Sequence, residues 1–136
     1  MLVHVSFRLN GKAYDQNSLD KAAQQWQTAS DEELRGLGRF LTDWLSDDDH
    51  LAVHTSGSTG KPKEIHMPKT AMCASAVRTA VFFKVSEGAS ALLCLPIRYI
   101  AGKMMLVRAL VLGWHLDIIP PKTKLHIVRK YDFTAL

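Results

Sequence analysis

Between an apolar run, Leu51 to Val53, and a second extended-looking run, Glu64 to Met67, stands His54-Thr55-Ser56-Gly57-Ser58-Thr59-Gly60-Lys61-Pro62-Lys63, with four hydroxyl residues, two glycines, a proline and two lysines. That composition suits phosphate. Glycine lets backbone N–H groups approach an anion with no Cβ in the way and tolerates the positive φ that turns successive amides to one side. Ser and Thr hydroxyls rotate to donate to phosphate oxygens, and lysine adds a mobile point charge. Two common cradles are excluded by spacing. A Walker A loop needs glycine where Thr55 stands and a hydroxyl residue where Pro62 follows Lys61. A dinucleotide fingerprint needs three glycines between a strand and a helix, and only Gly57 and Gly60 are present. A solvated Gly/Ser/Thr turn has a similar composition, but it leaves Pro62, Lys63 and the flanking apolar runs without a reason.

Thr55 through Lys63 resembles the loop of the adenylate-forming acyl-CoA synthetase and ligase superfamily, whose pattern is [ST]-[ST]-G-[ST]-[ST]-G-x-P-K, with every fixed position met. The resemblance implies that Thr55, Ser56, Gly57, Ser58, Thr59, Gly60, Lys61 and Lys63 hold ATP. They would orient its β- and γ-phosphates while a carboxylate attacks the α-phosphorus and pyrophosphate leaves, a reaction driven by positioning and charge stabilisation. It also implies Mg2+, with ligands largely outside this chain, and CoA as co-substrate. Within the chain it designates no catalytic residue and no metal ligand.

A second segment carries the same resemblance. Leu95-Pro96-Ile97-Arg98-Tyr99-Ile100-Ala101-Gly102 is similar to the superfamily's strand ending in Leu-Pro, followed by an aromatic or His pair and a small-Gly step, with Arg98-Tyr99 where many members have Phe-His. From Leu51 to Pro120, with Ile100 to Met105 and Arg108-Ala109-Leu110, the chain resembles most the o-succinylbenzoate–CoA ligases of menaquinone synthesis; the first fifty residues resemble them only loosely. The expected acid site is Arg98, Tyr99, Gly102 and Lys103. Arg98 and Lys103 would meet a dicarboxylate, since Arg offers a planar fork to carboxylate. Surface cations flanking a helix are the alternative.

The elements that must position these residues follow from periodicity. Val3, Val5, Phe7 and Leu9 alternate with polar residues, which predicts a half-buried strand from Val3 to Leu9, then a turn at Asn10-Gly11-Lys12. Asn17 or Ser18 is the expected cap of a helix running to about Thr28. Ser30, with Glu33 as capping-box carboxylate, is expected to start a second, whose stripe is Leu34, Leu37, Leu41, Trp44 and Leu45. Asp47-Asp48-Asp49 lacks the glycine and terminal glutamate of a calcium loop and is expected to be a turn. A long helix over Lys69 to Val85 should bury Met72, Ala76, Thr79, Ala80 and Phe83. Ala91 to Leu95 has the composition of a buried parallel strand. A helix from Met104 to Leu112 closed by Gly113 and a strand from His115 to Ile119 complete a βαβ crossover. Ligands sit beyond the carboxyl ends of such strands, where Leu95 to Gly102 lies.

Composition sets the remaining bounds. The 136 residues are 47% apolar and 22% charged, globular values for one ordinary domain. No apolar run reaches the roughly 18 residues of a membrane span, and the first ten residues lack a signal peptide's pattern; a cytoplasmic protein is the expectation. Cys73 and Cys94 lie in apolar surroundings and the six histidines are scattered, so buried thiols are expected and no zinc site. The net charge of +4 suits anionic small molecules such as ATP and CoA, and the basic stretch Lys122 to Lys130 lacks the motif of a nucleic-acid surface.

The fold class expected is α/β, an incomplete N-terminal part of an adenylate-forming enzyme with a βαβ unit and a phosphate-loop hairpin. Residues 1–50 would form an N-terminal strand and helices, and 51–136 part of the AMP-binding subdomain. The superfamily's downstream Thr-Glu segment, ribose-gripping aspartate, hinge and lid lysine have no counterpart in this sequence. The expectation is therefore a portion inactive by itself, with exposed sheet edges that favour homo-oligomers. Other acyl, aryl or aminoacyl adenylating enzymes share the loop, and a non-catalytic nucleotide- or phosphate-binding module is the alternative from another class.

Overall fold

The computed structural model describes residues 2–55, 60–120 and 129–135. It is an α/β fold of one mixed sheet, a separate two-stranded ribbon and four helices among the described residues. The sheet order is β2-β1-β6-β5-β7: β1 (Arg8–Leu9) pairs antiparallel with β2 (Lys12–Ala13) and parallel with β6 (His115–Ile118), which pairs parallel with β5 (Ser90–Leu93), itself parallel to β7 (Phe133–Ala135). The expected βαβ unit is present as β5, α4 (Ile100–Leu112) and β6. Gly113 ends α4 in the left-handed region at φ 75°, as its position predicted.

The N-terminal strand is shorter than its alternation suggests. Only Arg8 and Leu9 pair, because residues 4–7 turn instead: the Phe7 N–H donates to the His4 carbonyl (3.0 Å) and the Ser6 N–H to His4 Nδ1 (3.1 Å). The expected alternation of burial is broken with it: Val3, Phe7 and Leu9 are buried, but Val5 is 81% exposed. Asn10 and Gly11, both at positive φ, make the tight hairpin between β1 and β2.

Both helix caps differ from expectation. Helix α1 (Gln16–Trp26) is capped by Asp15, whose carboxylate accepts from the Ser18 N–H (2.8 Å) while the Ser18 hydroxyl accepts from the Asp15 N–H (3.0 Å). Ser18 is thus the far member of a capping box and not the cap. Helix α2 (Glu32–Leu45) starts at Asp31, and Glu33 turns to a different partner described below. The two helices pack closely; a Cβ on Gly38 would lie 2.6 Å from the Ala23 carbonyl oxygen. The buried face of α2 is Leu37, Phe40, Leu41, Trp44 and Leu45, the predicted stripe with Phe40 added and Leu34 only half-buried.

Hydrogen bonds from the Ser18 amide, then from its hydroxyl, hold the Asp15 carboxyl below its ordinary value near 3.8. The folded chain therefore binds fewer protons than the unfolded one in that range, so the cap's contribution is complete above pH 3.8 and is lost as pH falls through the depressed folded value. Asp15→Asn keeps an acceptor but cannot titrate. Its stability relative to the parent should rise on going from pH 6 to about pH 3, and a pH-independent difference in thermal denaturation would rule this out.

Helix α3 (Lys69–Phe83) buries Met72 and Ala76, but Val81, Phe82 and Phe83 are exposed at 73%, 79% and 57%, correcting the expectation that its phenylalanines are core. Phe83 still packs edge-on against Phe133 at 5.4 Å. Helix α4 is buried on nearly all sides, as its mostly apolar composition, broken only by Lys103 and Arg108, requires; it touches β3 (His50–Thr55) as well as β5, β6 and β7. Both cysteines are free, Cys94 buried and Cys73 half-buried. No helix among the described residues is long and apolar enough to cross a membrane.

Candidate functional site

The phosphate-loop hairpin is formed by β3 and β4 (Lys63–Pro68), paired antiparallel from His50↔Pro68 to Thr55↔Lys63. Leu51 and Val53 point into the core, which fixes the register and sends Ala52 and His54 to the other face. The base of the ribbon is tied down at Lys69, a 6% exposed lysine. Its Nζ donates to the Ser46 carbonyl (2.8 Å) and hydroxyl (3.3 Å), and its N–H donates to the Asp49 carbonyl (2.8 Å). At the tip, Thr55 Oγ1 lies 3.4 Å from the Lys63 carbonyl, to which it donates, and Gly60 sits at φ 88°, a backbone state that L side chains resist. Lys61 and Lys63 are exposed beside it. Ser56, Gly57, Ser58 and Thr59 lie outside the described residues.

The hairpin forms one wall of a cleft of about 710 Å3; α2 and the Ile97–Lys103 segment form the others. Thr55, Gly60 and Pro62 line it from the hairpin, Ile97, Arg98, Tyr99 and Lys103 from the opposite side, so two segments forty residues apart face a common space. The α2 wall carries three carboxylates, Glu32, Glu33 and Asp43, and the Arg39 guanidinium at helical spacing.

A model of the AMP-binding enzyme family matches residues 6–136. The chain belongs to the AMP-binding enzyme family. This AMP-binding chain is similar to the crystal structure of an acyl-CoA synthetase (AMP-forming)/AMP-acid ligase II-like protein from Dyadobacter fermentans, with 32% identity and a TM-score of 0.70 over 85% of this chain. It spans 34% of that relative's length. It also shares its fold with the McyG A-PCP structure complexed with phenylalanyl-adenylate, at TM-score 0.50 and 23% identity over 56% of this chain and 12% of that one. No curated protein matches the chain.

Within this AMP-binding chain the expected acid-site residues divide by what they touch. Arg98 stacks over the Tyr99 ring, 4.8 Å from its centroid, and its Nη2 donates to the Tyr99 hydroxyl (3.0 Å). The pair is exposed and borders the cleft. Lys103 is less free. Its Nζ donates to the carbonyls of Ile97 and Arg98, both at 2.9 Å, which leaves one of its three N–H groups for any ligand. Burial, with the Arg39 guanidinium nearby, holds the Lys103 pKa below its ordinary value. Helix α4 starts a full turn before the predicted Met104, at Ile100, so Gly102 is in its first turn. There it passes beneath the loop: a Cβ would lie 2.4 Å from the Pro96 carbonyl oxygen.

The α2 contribution was missed in the sequence because Glu32, Glu33, Gly36, Arg39 and Asp43 occupy the face opposite its apolar stripe, which ordinarily belongs to solvent. Gly36 was the available signal, a glycine one turn from Glu33 inside a helix that has no conformational use for it. A Cβ there would lie 2.9 Å from Ile97 Cγ2. For phosphate, the described donors fit: an exposed hairpin tip with a positive-φ glycine, a hydroxyl and two lysines. Among the described residues no three His, Cys, Asp or Glu side chains converge as a metal site.

Proposed function

We propose that these residues supply the ATP-phosphate cradle and one wall of the acid site of an AMP-forming acid–CoA ligase, of the o-succinylbenzoate type. In that reaction a carboxylate oxygen bonds to the α-phosphorus of ATP as the bond to pyrophosphate breaks, and the thiol of CoA then displaces AMP from the acyl-adenylate. The observation that carries the reading is the shared cleft, in which the hairpin tip and the Arg98–Tyr99 pair face each other. Amides and hydroxyls of residues 55–60, with Lys61 and Lys63, would hold the β- and γ-phosphates at one end. The acid would enter between Tyr99 and α2, where Arg39 and Arg98 suit a second carboxylate. ATP and CoA as co-substrates accord with a cytoplasmic location.

Calorimetric titration of the chain with pyrophosphate tests the cradle. Replacing Lys61 and Lys63 together by alanine should weaken binding by roughly tenfold or more, since hydrogen bonds to charged groups are worth about 1.5–3 kcal/mol each. Equal affinity in parent and variant would remove the hairpin from the phosphate site.

A further inference from the structure

The loop that carries Arg98 and Tyr99 is gripped from two sides by its backbone at Ile97 and Arg98. From α2, the Glu33 carboxylate accepts a hydrogen bond from the Ile97 N–H at 3.2 Å, across sixty-four positions of sequence. From α4, Lys103 donates to the Ile97 and Arg98 carbonyls at 2.9 Å each. The N–H of the Pro96–Ile97 peptide thus meets the anion, and the carbonyls of the two peptides that follow meet the cation, so each of these hydrogen bonds is charge-assisted. Two glycines allow the approach. Gly36, one turn beyond Glu33, lets α2 press on the Ile97 side chain, and Gly102, one residue before Lys103, lets α4 pass under the Pro96 carbonyl. Ile97 itself is 6% exposed, seated between the helices, while Arg98 and Tyr99 project beyond it to the cleft.

We propose that Glu33 and Lys103 are positioning residues, a two-sided clamp on the backbone flanking Ile97 that sets where the Arg98–Tyr99 wall stands relative to the β3–β4 hairpin. Lys103 then serves the acid by holding the wall, its remaining N–H being secondary. The clamp is a feature of the chain itself; its consequence for ligand binding rests on the reading of the cleft as an acid site.

Amide hydrogen exchange on the full chain, followed by NMR, separates the two. In the parent, the Ile97 amide should be protected. Glu33→Ala should speed its exchange by at least about tenfold, as loss of a charge-assisted bond implies, with the Leu92 amide of β5 and the Leu106 amide of α4 unchanged. Glu33→Gln, which keeps an acceptor oxygen, should stay within about threefold of the parent. In titrations, Glu33→Ala should weaken o-succinylbenzoate binding at least about fivefold and leave pyrophosphate binding unchanged, with Glu33→Gln restoring most of the loss. Unaltered Ile97 exchange in Glu33→Ala, equal losses in Glu33→Gln, or Leu92 and Leu106 accelerating together with Ile97 would each overturn the clamp. So would acid and pyrophosphate affinity falling in step. A parent that binds pyrophosphate but no acid would remove the acid-site reading, and the exchange rates would still decide the clamp.

Discussion

Replacing Gly102 by valine is expected to destabilise the chain by about 3 kcal/mol and to displace the Pro96–Tyr99 loop. The added Cβ would lie 2.4 Å from the Pro96 carbonyl oxygen, 3.1 Å from its carbon and 3.3 Å from Ile97 Cα. All three are backbone atoms, so no side-chain rotation relieves the clash. Moving the loop instead strains the hydrogen bonds by which Glu33 and Lys103 hold it. Alanine at the same site would recover up to about 1 kcal/mol through its better helix propensity; valine recovers less and adds two methyl groups. The check is a urea titration of the variant together with o-succinylbenzoate binding. An unchanged midpoint would mean that α4 and the loop are not in the close contact described.

Trp44→Ala should be costlier still, about 3–5 kcal/mol. The indole is fully buried, lies nearly parallel to Phe40 with centroids 6.4 Å apart, and donates from Nε1 to the Leu2 carbonyl at 2.9 Å. Truncation opens a cavity on the core side of α2 and strands an acceptor near the N-terminus. Against the 5–15 kcal/mol that an ordinary domain possesses, such a loss leaves little margin. Because the opposite face of α2 lines the cleft, the damage would reach the site through the helix. Trp44→Phe, which keeps most of the ring and loses only the donor, should cost roughly 1–2 kcal/mol. Thermal denaturation of the two variants decides it, and equal losses would show that the hydrogen bond matters more than the packed ring.

The contrast between Glu33 and Ser18 shows how far local pattern reaches. Both belong to plausible capping boxes, each with its members three residues apart. The Asp15–Ser18 box forms because its partners are three residues apart and compete with nothing. Glu33 had an equally good local role beside Ser30, yet folding brings the Ile97 N–H to it, and a buried amide with no other acceptor claims the carboxylate. The α3 phenylalanines make the same point from the other side: apolar spacing marks a face that could be buried, yet among the described residues Phe82 stays 79% exposed.

From its sequence alone the chain declares the β3–β4 hairpin, the βαβ unit, the Gly113 helix stop and the family resemblance, each carried by short local patterns, where backbone geometry and turn chemistry decide the outcome. Tertiary structure decided that residues 4–7 turn away from the sheet, that Lys103 holds a loop, and that the polar face of α2 forms a wall of the cleft. Those outcomes depend on which groups end up packed together, as when Glu33 meets the Ile97 N–H across sixty-four positions, and that is set only when the helices close on the sheet.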